Sequence, residues 1–218
     1  LTVRLALLVY KYFPYGGMQR DFLRIALELQ GLGHHCRVYC LNWQGEVPSG
    51  LEIRRVAVGA VTSQGRGRRF RRWVEADLAV DPVDGVVGFN KMPGLDVYFA
   101  ADPCYLEKAL TGRGWWYRLG GRYRHFAKYE RAVFGTQSDT HILLISERER
   151  ACFQRHYHTP SSRLTLLPPG VAPDRRPGSA RAERRAAVRA ALGVPQETLL
   201  LLFLGSGFVT KGLDRAIH

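Results

Sequence analysis

Residues Arg4 to Leu29 read RLALLVYKYFPYGGMQRDFLRIALEL. Leu5 to Tyr10 is a continuous apolar run, the pattern of a strand covered on both faces of a sheet. Tyr12, Phe13, Pro14 and Tyr15 interrupt it, and Gly16-Gly17 follows at once. Beyond the glycines Met18, Phe22, Ile25, Ala26 and Leu29 fall on one helical face. The stretch therefore predicts strand, tight glycine turn, helix. Such a turn aims backbone N–H groups and the positive end of a helix at a place where an anion fits. Two adjacent glycines also let a ligand approach the backbone, although a Gly-Gly pair equally serves as a plain turn. GGMQRD lacks the G-x-G-x-x-G spacing of a dinucleotide site, and the second strand, ending Cys40-Leu41-Asn42, carries no acid for a ribose. A nicotinamide dehydrogenase is a poor fit.

Working outward, the 218 residues suffice for one sizeable core and part of a second. No apolar run approaches the roughly 18–20 residues of a membrane span. The opening LTVRLALLVYKY is too short and wrongly flanked for a signal peptide, so a cytosolic protein is expected. The four cysteines form no C-x-x-C. Cys36 and Cys40, about 13 Å apart on a strand, are too distant to bridge and read as buried thiols in a reducing compartment. The net charge of +13 favours an anionic partner: nucleic acid, acidic lipid or a phosphorylated substrate. An Arg-rich genome composition would supply part of the same excess.

Strands and helices alternate along the chain. Strands are predicted at His35–Leu41, Leu51–Val58, Val83–Phe89, Leu95–Ala101 and His141–Ile145, with a loop over Trp43–Gly50 and a helix over Glu147–His156. GRGRRFRRW packs Arg66, Arg68, Arg69, Arg71 and Arg72 together, as a basic loop running into a helix that ends near Ala79. Asn90-Lys91-Met92-Pro93-Gly94 follows the fourth strand at its carboxyl end, where open parallel sheets bind ligands. This order predicts an α/β fold with a doubly wound parallel sheet. From Pro168, PPGVAPDRRPGSA reads as an interdomain connection. A helix over Ala180–Leu192 and an apolar strand over Thr198–Leu204 then run into Gly205-Ser206-Gly207-Phe208-Val209-Thr210-Lys211-Gly212, with a helix from Leu213. This is not a P-loop, yet a lysine beside a glycine-rich helix start suits a diphosphate. The expected organisation is a Rossmann-like domain over residues 1–170, then a linker and the start of a second domain over 171–218, the front portion of a longer protein.

Between Tyr105 and Phe134, aromatics including Trp115, Trp116, Tyr117 and Tyr123 alternate with Arg113, Arg118, Arg122, Arg124, Lys128 and Arg131. One helix would put Trp116, Leu119, Tyr123 and Phe126 on a shared face, and because Gly120-Gly121 weakens such a helix, two shorter pieces are an equal alternative. Aromatics interleaved with cations suit a lipid headgroup interface, stacking on single-stranded nucleic acid, or a basic-rimmed core segment.

YKYFPYGGMQRDF, GFNKMPGLDVYFAAD, RYRHFAKYERAVF, LLPPGVAPDRR and GSGFVTKGLDR closely resemble the lipopolysaccharide core heptose glucosyltransferase I family of Gram-negative bacteria, within retaining glycosyltransferase family four. The resemblance runs from Val3 to Ile217. It implies the GT-B fold of two Rossmann-like domains facing across a cleft. It also implies transfer of glucose from UDP-glucose to the second heptose of the lipopolysaccharide inner core, with retention. Glycosyl transfer builds positive charge at the anomeric carbon and negative charge on the departing UDP. The chain contains no Asp-x-Asp for a nucleotide-sugar metal, so a metal-independent reaction without a cofactor is expected, with protein cations and N–H groups stabilising the leaving group.

By resemblance, Lys211 and Arg175 contact the donor diphosphate and Gly16 and Gly17 form the loop that approaches it. Asp21 and Lys211 are the candidate catalytic residues. Asp21 would stand near the reacting centre without being the base, because in a front-face mechanism the donor phosphate takes the acceptor proton. A dipole-stabilising carboxylate in the first helical turn is the plainer reading of Asp21. Lys91 and Asp102 are candidate cleft residues at strand ends. The family commonly has Arg-Lys-Gly where this chain has Thr210-Lys211-Gly212, which removes one guanidinium, and its E-x7-E motif would follow residue 218. The resemblance further implies that Trp115, Trp116, Arg118, Arg122, Arg124 and Lys128 contact the anionic inner leaflet. The expected setting is cytoplasmic and peripheral, without nucleic acid, and the fragment by itself is expected to be inactive. A related glycosyltransferase with another UDP-sugar or acceptor, or a basic membrane- or nucleic-acid-binding α/β module, is the alternative.

Overall fold

The apolar run near the start forms β1 (Arg4–Leu8), an interior strand of a parallel sheet. The computed structural model describes residues 1–170, 178–203 and 208–217. After β1 come β2 (Lys11–Tyr12), α1 (Gly17–Gly31), β3 (His35–Cys40), β4 (Asn42–Trp43) and β5 (Glu52–Arg55). Next are α2 (Ser63–Val80), β6 (Gly85–Gly88), β7 (Val97–Ala100), α3 (Tyr105–Gly112), a 3₁₀ turn over Trp115–Leu119 and α4 (Gly121–Phe134). β8 (His141–Leu144), α5 (Glu147–Tyr157) and β9 (Leu164–Leu166) complete the unit Leu1–Pro169. The sheet order is β5-β3-β1-β6-β7-β8-β9, with Leu7 facing Val38 on one side and Val87 on the other.

Strand residues divide strictly between two cores, as period-2 geometry requires. Ala6 and Leu8, with Tyr39, Tyr98, Ala100, Ile142 and Leu144, enter the core shared with Phe70 and Val74 of α2, Tyr129, Val133 and Phe134 of α4, and Phe153 of α5. Leu7 and Val9, with Val38, Cys40 and Phe99, enter the core shared with Phe22 and Ala26 of α1. Helices therefore cover both faces, which is why the strands read as unbroken apolar runs. Phe134 stacks on Phe153 with ring centroids 3.6 Å apart, fastening α4 to α5.

Several details differ from the sequence reading. β1 stops short of Tyr10 because the Tyr10 N–H donates to Asn90 Oδ1 at 2.7 Å and leaves the ladder. Trp43 belongs to a two-stranded ribbon, β2 with β4, in which Tyr12 and Trp43 stack at 4.0 Å. The arginine run lies inside α2 rather than in a loop, because Thr62 Oγ1 accepts from the Gly65 N–H at 3.1 Å and starts the helix early. α1 begins at Gly17, so Asp21 falls beyond the first turn. The three-residue β9 has too little sequence to show a period. Gly120 and Gly121 do separate two helical pieces, and α4 buries His125, Tyr129, Val133 and Phe134. Trp116 and Leu119 stay 68% and 59% exposed, off any shared buried face.

The unit Gly170–His218 contains α6 (Arg181–Ala191), α7 (Phe208–Lys211) and α8 (Leu213–Ile217). The buried Arg189 of α6 donates to the Pro195 carbonyl through Nε at 3.1 Å and also to the Thr198 carbonyl, holding the following turn. The apolar stretch predicted as a strand is not one at Leu199–Phe203, where Leu199, Leu201 and Leu202 are exposed. A buried parallel strand needs neighbours to pair its backbone, and none of the described residues of this unit is in a strand. α8 starts at Leu213 as the sequence predicts, and Lys211, two residues before it, also ends the short helix α7, while Gly205, Ser206, Gly207 and Arg175 lie outside the described residues.

Candidate active site

Sheet order reverses between β1 and β6, and at their carboxyl ends the flanking loops must diverge to opposite faces, leaving a crevice. A cavity of about 350 Å³ occupies this position. Tyr10 and Lys11 reach it from the end of β1 and Asn90 from the end of β6. Gln19 comes from α1, Arg66 and Gly67 from α2, and His125 and Phe126 from α4. None of its lining residues is an aspartate or glutamate. A second cavity of about 350 Å³, beside Arg4, His35 and Glu52, opens at the amino edge of the strands. That edge lacks the strand-to-helix turns and helix N-termini that bind ligands in parallel sheets.

The walls of the switch-point cavity are braced from behind. Asn90 ties the ends of β1 and β6 together through Tyr10 N–H. Gln19, 8% exposed, donates through Nε2 to the Lys11 carbonyl at 3.2 Å. A Cβ on Gly16 would lie 2.0 Å from Gln19 Oε1 and 2.6 Å from Phe13, so a larger residue at this N-cap would displace both side chains. Beside Gly17 there is nothing within 4 Å, which leaves one side of the turn open. A Cβ on Gly67 would lie 3.1 Å from the Tyr10 hydroxyl, so glycine lets α2 close on Tyr10, whose ring meets Phe70 edge-on at 5.2 Å. Burial, aided by Tyr129, holds the Tyr10 phenol protonated far above the usual range. His125 is 8% exposed and lies against Tyr129, with centroids 4.1 Å apart. Burial, then the charge of Arg68, lowers its pKa and keeps the imidazole neutral at pH 7.

The sequence-predicted residues are distributed unevenly around this site. The Gly16–Gly17 turn lies between the cavity residues Phe13 and Met18. Asp21 is ion-paired with Arg24 at 2.8 Å, one turn further along α1. Asp102 is exposed just past the carboxyl end of β7. Lys91 is turned inward: its Nζ meets the carboxylate of Glu130 and the Pro103 carbonyl, the latter at 2.8 Å. Glu130 is fully buried and also accepts from the N–H groups of Tyr105 and Leu106 at 2.7 and 2.9 Å and from the Tyr157 hydroxyl at 2.6 Å. With Glu149 accepting from the Cys104 N–H at 2.8 Å, carboxylates of α4 and α5 cap the start of α3. Burial, with Glu130 nearby, pushes the Cys104 thiol up to about 12. Lys211 is exposed in the second unit.

Beyond α3 the chain presents Trp115 and Trp116, 57% and 68% exposed and stacked at 3.5 Å. Arg113 lies over the Tyr117 ring at 4.2 Å, and Arg118, Arg122, Arg124 and Lys128 are exposed. Among the described residues no helix is long and apolar enough to cross a membrane.

Sequence reasoning singled out neither Glu130 nor His125. The spacing of His125, Tyr129 and Val133 at i, i+4 and i+8 was a usable signal for a buried histidine. Glu130 had none, since a glutamate beside such a stripe ordinarily faces water.

The fold agrees with known proteins. The chain is 46% identical over 213 residues to the lipopolysaccharide glucosyltransferase WaaG of Escherichia coli (strain K12), covering 98% of this chain and 57% of that protein. It therefore spans a little over half the length of this relative. The crystal structure of WaaG, a glycosyltransferase involved in lipopolysaccharide biosynthesis, superposes with a TM-score of 0.88 at 45% identity, over 98% of this chain and 58% of that one. A sucrose-phosphate synthase from Thermosynechococcus elongatus shares the fold alone, with a TM-score of 0.60 at 13% identity over 89% of this chain and 53% of that one. The parallel sheet is thus that of a GT-B glycosyltransferase. Residues 15–175, from the glycine turn to past the last strand, match the family Glycosyltransferase Family 4, to which the chain belongs.

Proposed function

We propose that the protein transfers glucose from UDP-glucose to the second heptose of the lipopolysaccharide inner core, with retention, at the inner face of the cytoplasmic membrane. The 46% identity to the Escherichia coli lipopolysaccharide glucosyltransferase carries this reading. Donor, acceptor sugar and stereochemistry follow the family whose motifs the sequence resembles.

The chemistry asks for cations and N–H groups around a departing UDP. The open turn at Gly17 and the N-terminus of α1, capped by no side chain, supply N–H groups and a positive helix end. Lys211 supplies a mobile ammonium. The chain has no Asp-x-Asp, so these groups take the place of a carboxylate-held metal. Asp21, paired with Arg24, helps orient the reacting sugars, while the donor phosphate accepts the acceptor proton. The switch-point cavity receives part of the acceptor.

Exposed Trp115 and Trp116 beside exposed arginines support the membrane setting. The indoles suit the headgroup region and the cations suit anionic lipid. The test is a transfer assay with the complete gene product, UDP-glucose and core lipopolysaccharide lacking its first outer glucose. One α-linked glucose should be added per acceptor, with chelator present. Preference for another UDP-sugar, or no transfer to this acceptor, would overturn the reading.

A further inference from the structure

We propose that the switch-point cavity binds an anionic sugar, with Arg66 and Lys11 holding a phosphate or carboxylate on the sugar and His125 hydrogen-bonding a ring hydroxyl. The proposal rests on the glycosyltransferase reading only in making this sugar part of the acceptor, next to the heptose that receives glucose; the binding itself is argued from the cavity.

Three features converge. The cavity, about 350 Å³, lies within the roughly 300–1,000 Å³ range of small-molecule sites. Its charged lining is one-sided, with Lys11 and Arg66 and no carboxylate. Neither cation makes a side-chain hydrogen bond or ion pair among the described residues. Many other arginines of this unit are so engaged, as Arg37, Arg54, Arg71 and Arg150 show. The first turns of α1 and α2, helices of 15 and 18 residues, both contribute lining residues, so two positive helix ends reinforce the cations. A guanidinium offers a planar fork for a phosphate or carboxylate, and the ammonium a second contact.

The buried histidine points to a ligand with hydroxyls. His125 is 8% exposed, lines the cavity and its ring makes no hydrogen bond among the described residues. Its ring nitrogens are not sealed off without a partner, as the Tyr98 and Tyr129 hydroxyls are, so they stay within reach of a ligand. Its Nε2 lies 3.6 Å from where a Gly67 Cβ would stand, so it faces the space that glycine leaves open. Held neutral by burial, the imidazole carries one donor and one acceptor, which suits a hydroxyl that both gives and takes a hydrogen bond. Phe13 and Phe126 line the same space with apolar surface for the C–H face of a sugar ring.

Glucose 6-phosphate, glucuronate and glucose serve as probes, titrated calorimetrically into the complete gene product saturated with UDP. UDP fills the donor diphosphate site and prevents anions from binding there. Both anionic sugars should bind more than tenfold tighter than glucose. Arg66→Gln with Lys11→Gln, at exposed positions, should remove that preference and leave glucose binding unchanged. His125→Asn should weaken all three sugars severalfold, with an unchanged melting temperature confirming the fold. Equal affinity for charged and neutral sugars, or an anion preference that survives loss of both cations, would overturn the proposal. So would an absence of anionic-sugar binding to the UDP-saturated protein. If transfer fails while charge-selective binding persists, the assigned reaction falls and the site stands. If transfer proceeds without charge-selective binding, the site falls and the reaction stands.

Discussion

Lys91 Nζ meets the fully buried carboxylate of Glu130, joining the loop after β6 to helix α4. The same carboxylate takes the first N–H groups of α3, the helix that leads into the exposed tryptophans. One acid thus links the loop that carries cavity residue Asn90 to the segment proposed to meet lipid.

Removing that acid leaves an ammonium and two helix N–H groups poorly compensated. Breaking one side of a buried pair costs about 3–5 kcal/mol, so Glu130→Ala should lower stability by that order in urea denaturation. Lys91→Met combined with Glu130→Leu should recover part of the loss, because the unpaired buried charges are gone. A Glu130→Ala loss below about 1 kcal/mol would show that water replaces the carboxylate without difficulty.

A second cluster predicts acid behaviour. Arg37 and Arg54 engage Asp81, Asp77 and Glu52 across β3, β5 and α2, and Arg4 reaches Asp81 at 2.6 Å. The hydrogen bond from Arg4, against a smaller effect of burial, holds the Asp81 carboxyl below its ordinary range. Burial acts to raise Glu52, and hydrogen bonds from Arg54 and Arg37 outweigh it. A carboxylate with a lowered folded-state pKa stabilises the fold above its unfolded value, roughly pH 4. The melting temperature should therefore hold from pH 7 to about 5 and fall as these groups protonate below about 4. Asp81→Asn should flatten the acid limb in melts followed by circular dichroism. A limb identical to the parent's would exclude Asp81 as a contributor.

Lys211 carries the donor side of the proposed reaction. In the complete gene product Lys211→Ala should lower kcat/KM for UDP-glucose by about 10²–10³, the range for losing one preorganised stabiliser of developing charge. A loss under threefold would make Lys211 an ordinary surface lysine.

The exposed basic and aromatic segment predicts lipid selectivity. Each cation near an anionic surface contributes about 1 kcal/mol, screened by salt. Arg118→Gln, Arg122→Gln and Arg124→Gln together should weaken co-sedimentation with anionic vesicles while leaving turnover on a delipidated acceptor nearly intact. The exposed indoles of Trp115 and Trp116 should preserve residual binding at high salt. Equal binding to neutral and anionic vesicles, or tighter binding to single-stranded DNA, would reject lipid in favour of a different use of this surface.

The sequence by itself determined the parallel α/β sheet and the glycine turn. Burial of strands on both faces imposes continuous apolar runs such as Leu5–Val9, and the change to helical spacing at Met18 marks the crossover, so both signals are local. Its longer motifs also pointed to the family. Tertiary structure decided which residues meet. Tyr10, Arg66, Asn90 and His125 are far apart in the chain and share one cavity because sheet order reverses between β1 and β6. It also turned Lys91 inward, because Glu130 on a distant helix supplies the countercharge. At Leu199–Phe203 it withheld a strand that local hydrophobicity had predicted. A strand needs a partner for its backbone hydrogen bonds, and apolar side chains alone do not provide one.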